Sequence, residues 1–243
     1  MSLQIQPKSD GQPQEADISI ALLTWLEENK KLLAIGFGLI SAVVVISIIR
    51  GSLKDSAEAA SNKDLFAVMQ TAPGQAGVSA AALADHAAKH SGTKAAERSQ
   101  LLAASKLFEE GKYSEAQKAF ETFNEQYPDS VLGATATFGI ASALDAQNKT
   151  QEAIAAYQGF ITANSADPLA VQAKLAKARV HESVKQYKEA IAVYDEVQRA
   201  NVGQLGQEAA IRKASLIQEH PELAPPTPVM TNSVNVTSPA PAK

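Results

Sequence analysis

The 243-residue chain has no cysteine, so neither a disulfide framework nor a cysteine-based zinc site can form. That absence alone does not choose between a reducing and an oxidising compartment. Aromatic residues make up only 5% of the chain, which points to helices packed through small side chains. Neither sign of charge dominates: the formal net charge is −4, and no basic stripe marks a nucleic-acid partner. No Gly-rich phosphate loop appears, and no His-Glu-x-x-His zinc helix either. His86 and His90 lie four apart at a spacing that suits a metal ion, but the only carboxylate near them in sequence, Asp85, points off their face. They are expected as two solvated histidines. No catalytic set emerges, so the chain reads as a non-enzyme without cofactor or metal.

What is present is a repeat of 37 residues. Glu115-Ala116 with Phe120 recurs as Glu152-Ala153 with Tyr157 and as Glu189-Ala190 with Tyr194. The same interval links Ala104, Ala141 and Ala178, and also Leu101, Phe138 and Leu175. It further links Thr93, Ser130 and Asp167, residue types that cap helix N-termini. Each unit reads as two helices. In the first unit, Leu101, Ala104, Leu107 and Phe108 form one apolar stripe, and Gly111 breaks the helix. Ser114 and Gln117 are then expected to start the second helix as a capping box. A lone helical hairpin cannot bury both faces, so the units must stack. The predicted fold is therefore all-α, a solenoid of helical hairpins.

The remaining segments are expected as follows. Residues 1–17 form a polar, disordered leader. Residues 18–31 form a short amphipathic helix with Leu22, Trp25 and Leu26 on one side. Residues 32–50 form a single transmembrane helix: Leu32 to Ile49 carry no charge and reach the lower end of the ~17–25 residues a span needs. Residues 51–92 form a helical connector or a worn first repeat, since Leu83 lies 37 residues before Phe120. The three repeats occupy 93–201, a capping helix 202–220, and a disordered Pro-rich tail 221–243. Pro73, Gly74 and Gly77 mark a turn within the connector. The final helix is expected to show Leu205, Ala209, Ile211 and Leu216 on one face, with Gln204 as a fourth cap. Lys30 and Lys31 precede the span while Arg50, Lys54 and Lys63 follow it, so charge leaves the orientation open.

The run from Ala103 to Pro128, with Ala104, Leu107, Gly111, Tyr113, Ala116, Phe120 and Pro128, resembles the tetratricopeptide repeat. The second unit replaces the turn glycine by Asn148, and the third puts His181 in the Leu107 and Leu144 column. The resemblance implies a concave surface that holds another protein. Its expected lining is Arg98, Leu101, Ser105 and Phe108, then Thr135, Phe138, Ser142 and Asp145, then Gln172, Leu175, Arg179 and Glu182. The Leu101, Phe138 and Leu175 column is either an apolar strip in that groove or part of the core. The Asn and Lys set that clamps a peptide carboxylate in chaperone-binding members of the family is missing here.

Leader, single span, alanine-rich helical stretch and degenerate repeats together resemble the bacterial YfgM-like family, ancillary subunits of the SecYEG translocon. That resemblance implies a cytoplasmic N-terminus, a bacterial inner-membrane anchor contacting lipid through residues 32–50, and a periplasmic repeat domain. It also implies a role beside the translocon with a periplasmic chaperone. The alternative expectation is an envelope organiser that self-associates into a homo-oligomer.

Overall fold

A computed structural model describes residues 15–70, 78–200 and 203–224. The expectations for residues 1–14, for the Pro73–Gly77 turn and for 225–243 lie outside the described residues. All regular structure among the described residues is helical. The chain divides into two units, residues 1–62 and 63–243.

The first unit holds α1 (Glu15–Glu28) and most of α2 (Lys30–Met69). Helix α1 begins at Glu15, so residues 15–17 are helical rather than part of a leader. Asn29 separates the two helices, its side-chain amide donating to the Trp25 carbonyl at 2.8 Å. Helix α2 then runs 40 residues without a break. The expected boundary at residue 50 is therefore not marked by any turn. Leu53 to Asp64 are good helix formers except for the serines, the asparagine and the two aspartates, and Gly51 sits within the helix without ending it. The apolar window lies entirely outside any core, with Leu32, Phe37 and Ile48 at 72, 75 and 66% exposure. A soluble core helix of that composition would be buried.

The second unit stacks hairpins. The end of α2 and α3 (Ala80–Lys89) precede α4 (Lys94–Glu109) and α5 (Tyr113–Gln126), then α6 (Gly133–Ala146) and α7 (Thr150–Ala163). Next come α8 (Leu169–Ser183), α9 (Tyr187–Arg199) and α10 (Gly203–Glu219), followed by a single 3-10 turn at Pro221–Leu223. Each core cluster joins one hairpin to the back of the next first helix. Leu101 and Ala104 of α4 meet Ala116, Phe120 and Phe123 of α5 and Ala136 of α6. Ala141 and Leu144 meet Ala153, Tyr157 and Phe160, with Ala173 and Val180 of α8 behind. Leu175 and Ala178 meet Ala190, Tyr194 and Val197, with Ala209 and Leu216 of α10 behind. Upstream, Leu65 and Leu83 pack on Ala95 and Ala103 in the same manner. The alanine column is fully buried at Ala104, Ala141 and Ala178. That lack of bulk is what lets two helix backbones approach closely.

Within each hairpin the turn is the same. Gly111, Asn148 and Lys185 adopt φ of 76°, 59° and 62°. After each, the next amide reaches back to close the helix: Lys112 to Leu107, Lys149 to Leu144, and Gln186 to His181, all at 2.9–3.0 Å. This is a left-handed C-terminal cap, which glycine adopts freely and asparagine tolerates. Lysine has neither excuse, and Lys185 carries backbone strain. The tight cap also overturns the capping box: α5 already begins at Tyr113, so Ser114 lies inside the helix and makes no cap bond. Of the three expected N-caps, Thr93 accepts from the Ala96 amide at 3.1 Å. Ser130 and Asp167 instead accept from Leu132 and Leu169, two residues on, and shape the turns before α6 and α8.

The histidine expectation is corrected. His86 is buried, with 4% exposure, and its Nδ1 lies 2.7 Å from Ser99 Oγ. That hydroxyl already donates to the Ala95 carbonyl at 2.9 Å, so the imidazole is the donor. His90 Nε2 lies 2.9 Å from Asp64 Oδ2, which also takes Lys89 Nζ at 2.7 Å. Asp64, remote in sequence, is thus the carboxylate at the pair. Among the described residues no group of three or more such ligands could hold a metal.

Candidate binding groove

First helices of successive hairpins touch: α6 contacts α4 and α8, and α8 contacts α10. No comparable contacts join α5, α7 and α9. A stack tied more closely along one row of helices curves toward that row, so α4, α6, α8 and α10 line its concave side.

The twelve expected lining residues divide into three groups. Arg98, Thr135, Gln172 and Arg179 are exposed and form the open edge of that surface. Leu101 and Leu175 are buried, at 8 and 1% exposure, and belong to the hairpin cores. Phe138 is half-buried, its ring 5.9 Å from those of Tyr157 and Phe160. Of the two readings of this column the core one holds: its side chains point at the second helix of their own hairpin, where full burial of Leu101 or Leu175 is worth about 1.5–3 kcal/mol each. Phe108, also half-buried, stacks edge-on against Tyr113 at 5.1 Å. Ser105 is half-buried too.

Ser142, Asp145, Arg179 and Glu182 form a polar band across α6 and α8, and Arg212 of α10 extends it. Tyr157 donates its hydroxyl to Ser142 Oγ at 3.2 Å, and Ser142 donates to the Phe138 carbonyl at 3.0 Å. Tyr194 donates to Glu182 Oε2 at 2.6 Å, and Arg212 lies 3.6 Å from the same oxygen. Burial pushes the Asp145 carboxyl above its ordinary value, and the Arg179 guanidinium works against that push. Burial likewise pushes the Tyr157 phenol up to about 12, with Asp145 adding to the effect and Ser142 opposing it. The Tyr194 phenol is pushed up by burial and then by the Glu182 carboxylate that accepts its hydrogen bond. Both phenols are neutral donors that hold the band's acceptors in place.

Arg212 and the two tyrosine hydroxyls were missed by reading columns for apolarity alone. A signal existed. Where the aromatic column holds Phe120, its counterpart on the first helix is Phe108. Where it holds Tyr157 and Tyr194, that same column turns polar, at Asp145 and Glu182.

His181, placed in the Leu107 and Leu144 column, satisfies its Nδ1 with Gln186 Oε1 at 2.7 Å. A trough of about 830 Å³ among α3, α4 and α5 lies away from the band. Its walls are small, with Ala80, Ala84, Ala88 and Ala119 beside Leu107 and Tyr127.

A model of the tetratricopeptide repeat-like domain matches residues 24–159, and one of the tetratricopeptide repeat matches residues 138–203. No curated protein matches the chain. Among solved structures, a Podosopora anserina protein of nearly identical TPR-like repeats, assigned to the kinesin light chains, is 17% identical with a TM-score of 0.49. The match covers 59% of this chain and 80% of that one. A variant of the same protein gives the same identity and TM-score, over 79% of its length.

Proposed function

This chain belongs to the tetratricopeptide repeat-like family, and from that premise we propose that it is a membrane-anchored scaffold whose concave surface holds a protein partner. Repeats of this family imply a protein-interaction role. The observation that carries the reading is the polar band of Ser142, Asp145, Arg179, Glu182 and Arg212, pre-ordered by Tyr157 and Tyr194. Alternating acceptors and guanidinium groups suit a peptide that offers backbone and charged groups of both signs. An apolar strip would have called for a greasy helix instead.

The anchor is α2, whose uncharged stretch is long enough to cross a bilayer and has no core to enter. Tethering raises the local concentration of the groove at the membrane without adding any contact. The likeness in layout to YfgM-like proteins supports an inner-membrane location with the repeats in the periplasm, beside the Sec translocon and a periplasmic chaperone. The scaffold needs no metal, cofactor or catalytic group.

A photoreactive amino acid at exposed Gln172, in the full-length chain in native membranes, tests the reading. Crosslinks to a protein partner that vanish with Arg179→Glu are expected. Crosslinks only to other copies of the chain would replace a partner-binding scaffold by a self-associating organiser. Protease treatment of intact spheroplasts tests the side: the repeats should be cleaved without lysis.

A further inference from the structure

Helix α10 keeps the column pattern of the other first helices, but 36 rather than 37 residues on. Its back face shows this: Leu205, Ala209 and Leu216 stand where α8 has Leu169, Ala173 and Val180, and they pack on the preceding hairpin as those do. The same offset places Ile211 after Leu101, Phe138 and Leu175, and Ala214 after Ala104, Ala141 and Ala178. Ile217 follows Leu107, Leu144 and His181. In the three upstream hairpins these columns are where the second helix docks. On α10 no second helix follows among the described residues, and Ile211 is 70% exposed.

We propose that this front face of α10, Ile211, Ala214 and Ile217 with Ser215 and Gln218 beside them, receives an amphipathic helix from a second polypeptide, which completes a fourth hairpin. The three built hairpins specify the guest. Each docked helix carries an alanine and, four residues later, an aromatic ring: Ala116 and Phe120, Ala153 and Tyr157, Ala190 and Tyr194. The alanine permits close approach to Ala214, and the ring fills the space beside Ile211. The polar positions choose among aromatics. Ser215 takes the Ser142 column on this offset, shifted through Arg179, and Gln218 takes the Glu182 column. These are the columns whose side chains accept the hydroxyls of Tyr157 and Tyr194. The guest's ring is therefore a tyrosine.

Residues 195–243 offer no such segment: they hold no Phe, Tyr or Trp, and residues 221–243 carry six prolines. Proline in a helix interior costs ~3 kcal/mol and removes a backbone bond. Helices α7 and α9, which carry that alanine and tyrosine, are already docked, and α1, with Ala21 and Trp25 at the same spacing, lacks the hydroxyl. The inference rests on the column pattern of the hairpins; the groove's partner does not enter it, although Ile211 and Ser215 border Glu182 and Arg212 of the polar band.

A peptide of residues 186–200, the sequence of α9, serves as the probe, labelled for fluorescence anisotropy against the full-length chain. Saturable binding is expected, weakened by about tenfold or more in Ile211→Asp, equivalent to at least ~1.4 kcal/mol. Ala214→Leu, which blocks close approach, should weaken it similarly. The peptide with Tyr194→Ser should not compete. Ile211 is exposed, so Ile211→Asp keeps its helical circular dichroism. Equal binding to the wild-type chain and Ile211→Asp would overturn the proposal. So would a concentration-dependent dimer of the wild-type chain that Ile211→Asp abolishes, since the face would then pair with a second copy of itself.

Discussion

Two helical glycines should respond oppositely to the same substitution. Gly159 sits on the exposed side of α7, and a Cβ there would meet nothing within 4 Å. Gly159→Ala should stabilise the repeat unit by about 0.8–1 kcal/mol, the helix-propensity difference. Gly139 lies inside α6, where a Cβ would stand 2.6, 2.7 and 2.8 Å from three ring carbons of Phe120. Ordinary contact between carbons is about 3.5–4.0 Å, so the ring would have to retreat by about 1 Å. It has nowhere to go: Phe120 is 4% exposed and wedged between α5 and α6. Overpacking of that kind costs about 1–3 kcal/mol, against the ~1 kcal/mol gained in propensity. Gly139→Ala should therefore destabilise by about 1 kcal/mol, and the two variants should differ by about 2 kcal/mol. Thermal unfolding followed by circular dichroism would separate them by roughly 4–8 °C for a unit of this size. A second cycle isolates the contact, because in a Phe120→Leu background Gly139→Ala should turn neutral or stabilising. If Gly139→Ala stabilises the otherwise unchanged chain as much as Gly159→Ala does, Phe120 does not pack against α6 as described.

Lys185→Gly should stabilise by about 1 kcal/mol, because a lysine with φ of 62° gives way to the residue that adopts it freely. Urea titration beside Gly111→Ala, which should do the reverse, checks the sign. Tyr194→Phe removes a donor to the Glu182 carboxylate and should cost about 1.5–3 kcal/mol, more than Tyr157→Phe with its neutral Ser142 acceptor. Acid should loosen the joint between the first two repeats. Burial raises the Glu97 pKa, but the Lys94 and Ser130 hydrogen bonds outweigh it and leave the carboxyl below its ordinary 4.5. A depressed carboxylate stabilises the fold above its unfolded pKa and loses that contribution as pH falls through the folded value. Hydrogen exchange at Leu132, whose amide is held by Ser130, should accelerate below that range in the wild-type chain. Glu97→Gln should already exchange faster at neutral pH and show less further change on acidification.

The fold was legible because the columns are geometrical. Alanine at 104, 141 and 178 allows close approach, and an aromatic at 120, 157 and 194 fills the space that remains. Those two requirements repeat whenever hairpins stack. Other features were hidden for separate reasons. The capping box at Ser114 failed because the left-handed cap at Gly111 shortens the turn and starts α5 early, which side-chain chemistry alone does not announce. His86 and His90 looked solvated because Asp64 and Ser99 reach them from other helices, and no local pattern reports a long-range partner. The groove suffered most. A residue at position 101 or 175 is apolar whether it lines a surface or fills a hairpin, so only burial separates the two. The 37-residue interval, carried unchanged into α10, put Gln204 forward as a cap although the helix starts at Gly203, and Ile211, expected on one face with Leu205, Ala209 and Leu216, faces out.

Because each of these clusters borrows side chains from the helix that follows its hairpin, no 37-residue block owns a complete interior. Deleting the middle block whole would bring together two surfaces already shaped for each other, whereas cutting inside a block would strand half of two interiors. Pulled from the α10 end, such an array should come apart in steps of one hairpin, each release exposing the next. Length is then adjustable in whole units, and loss begins at the rim.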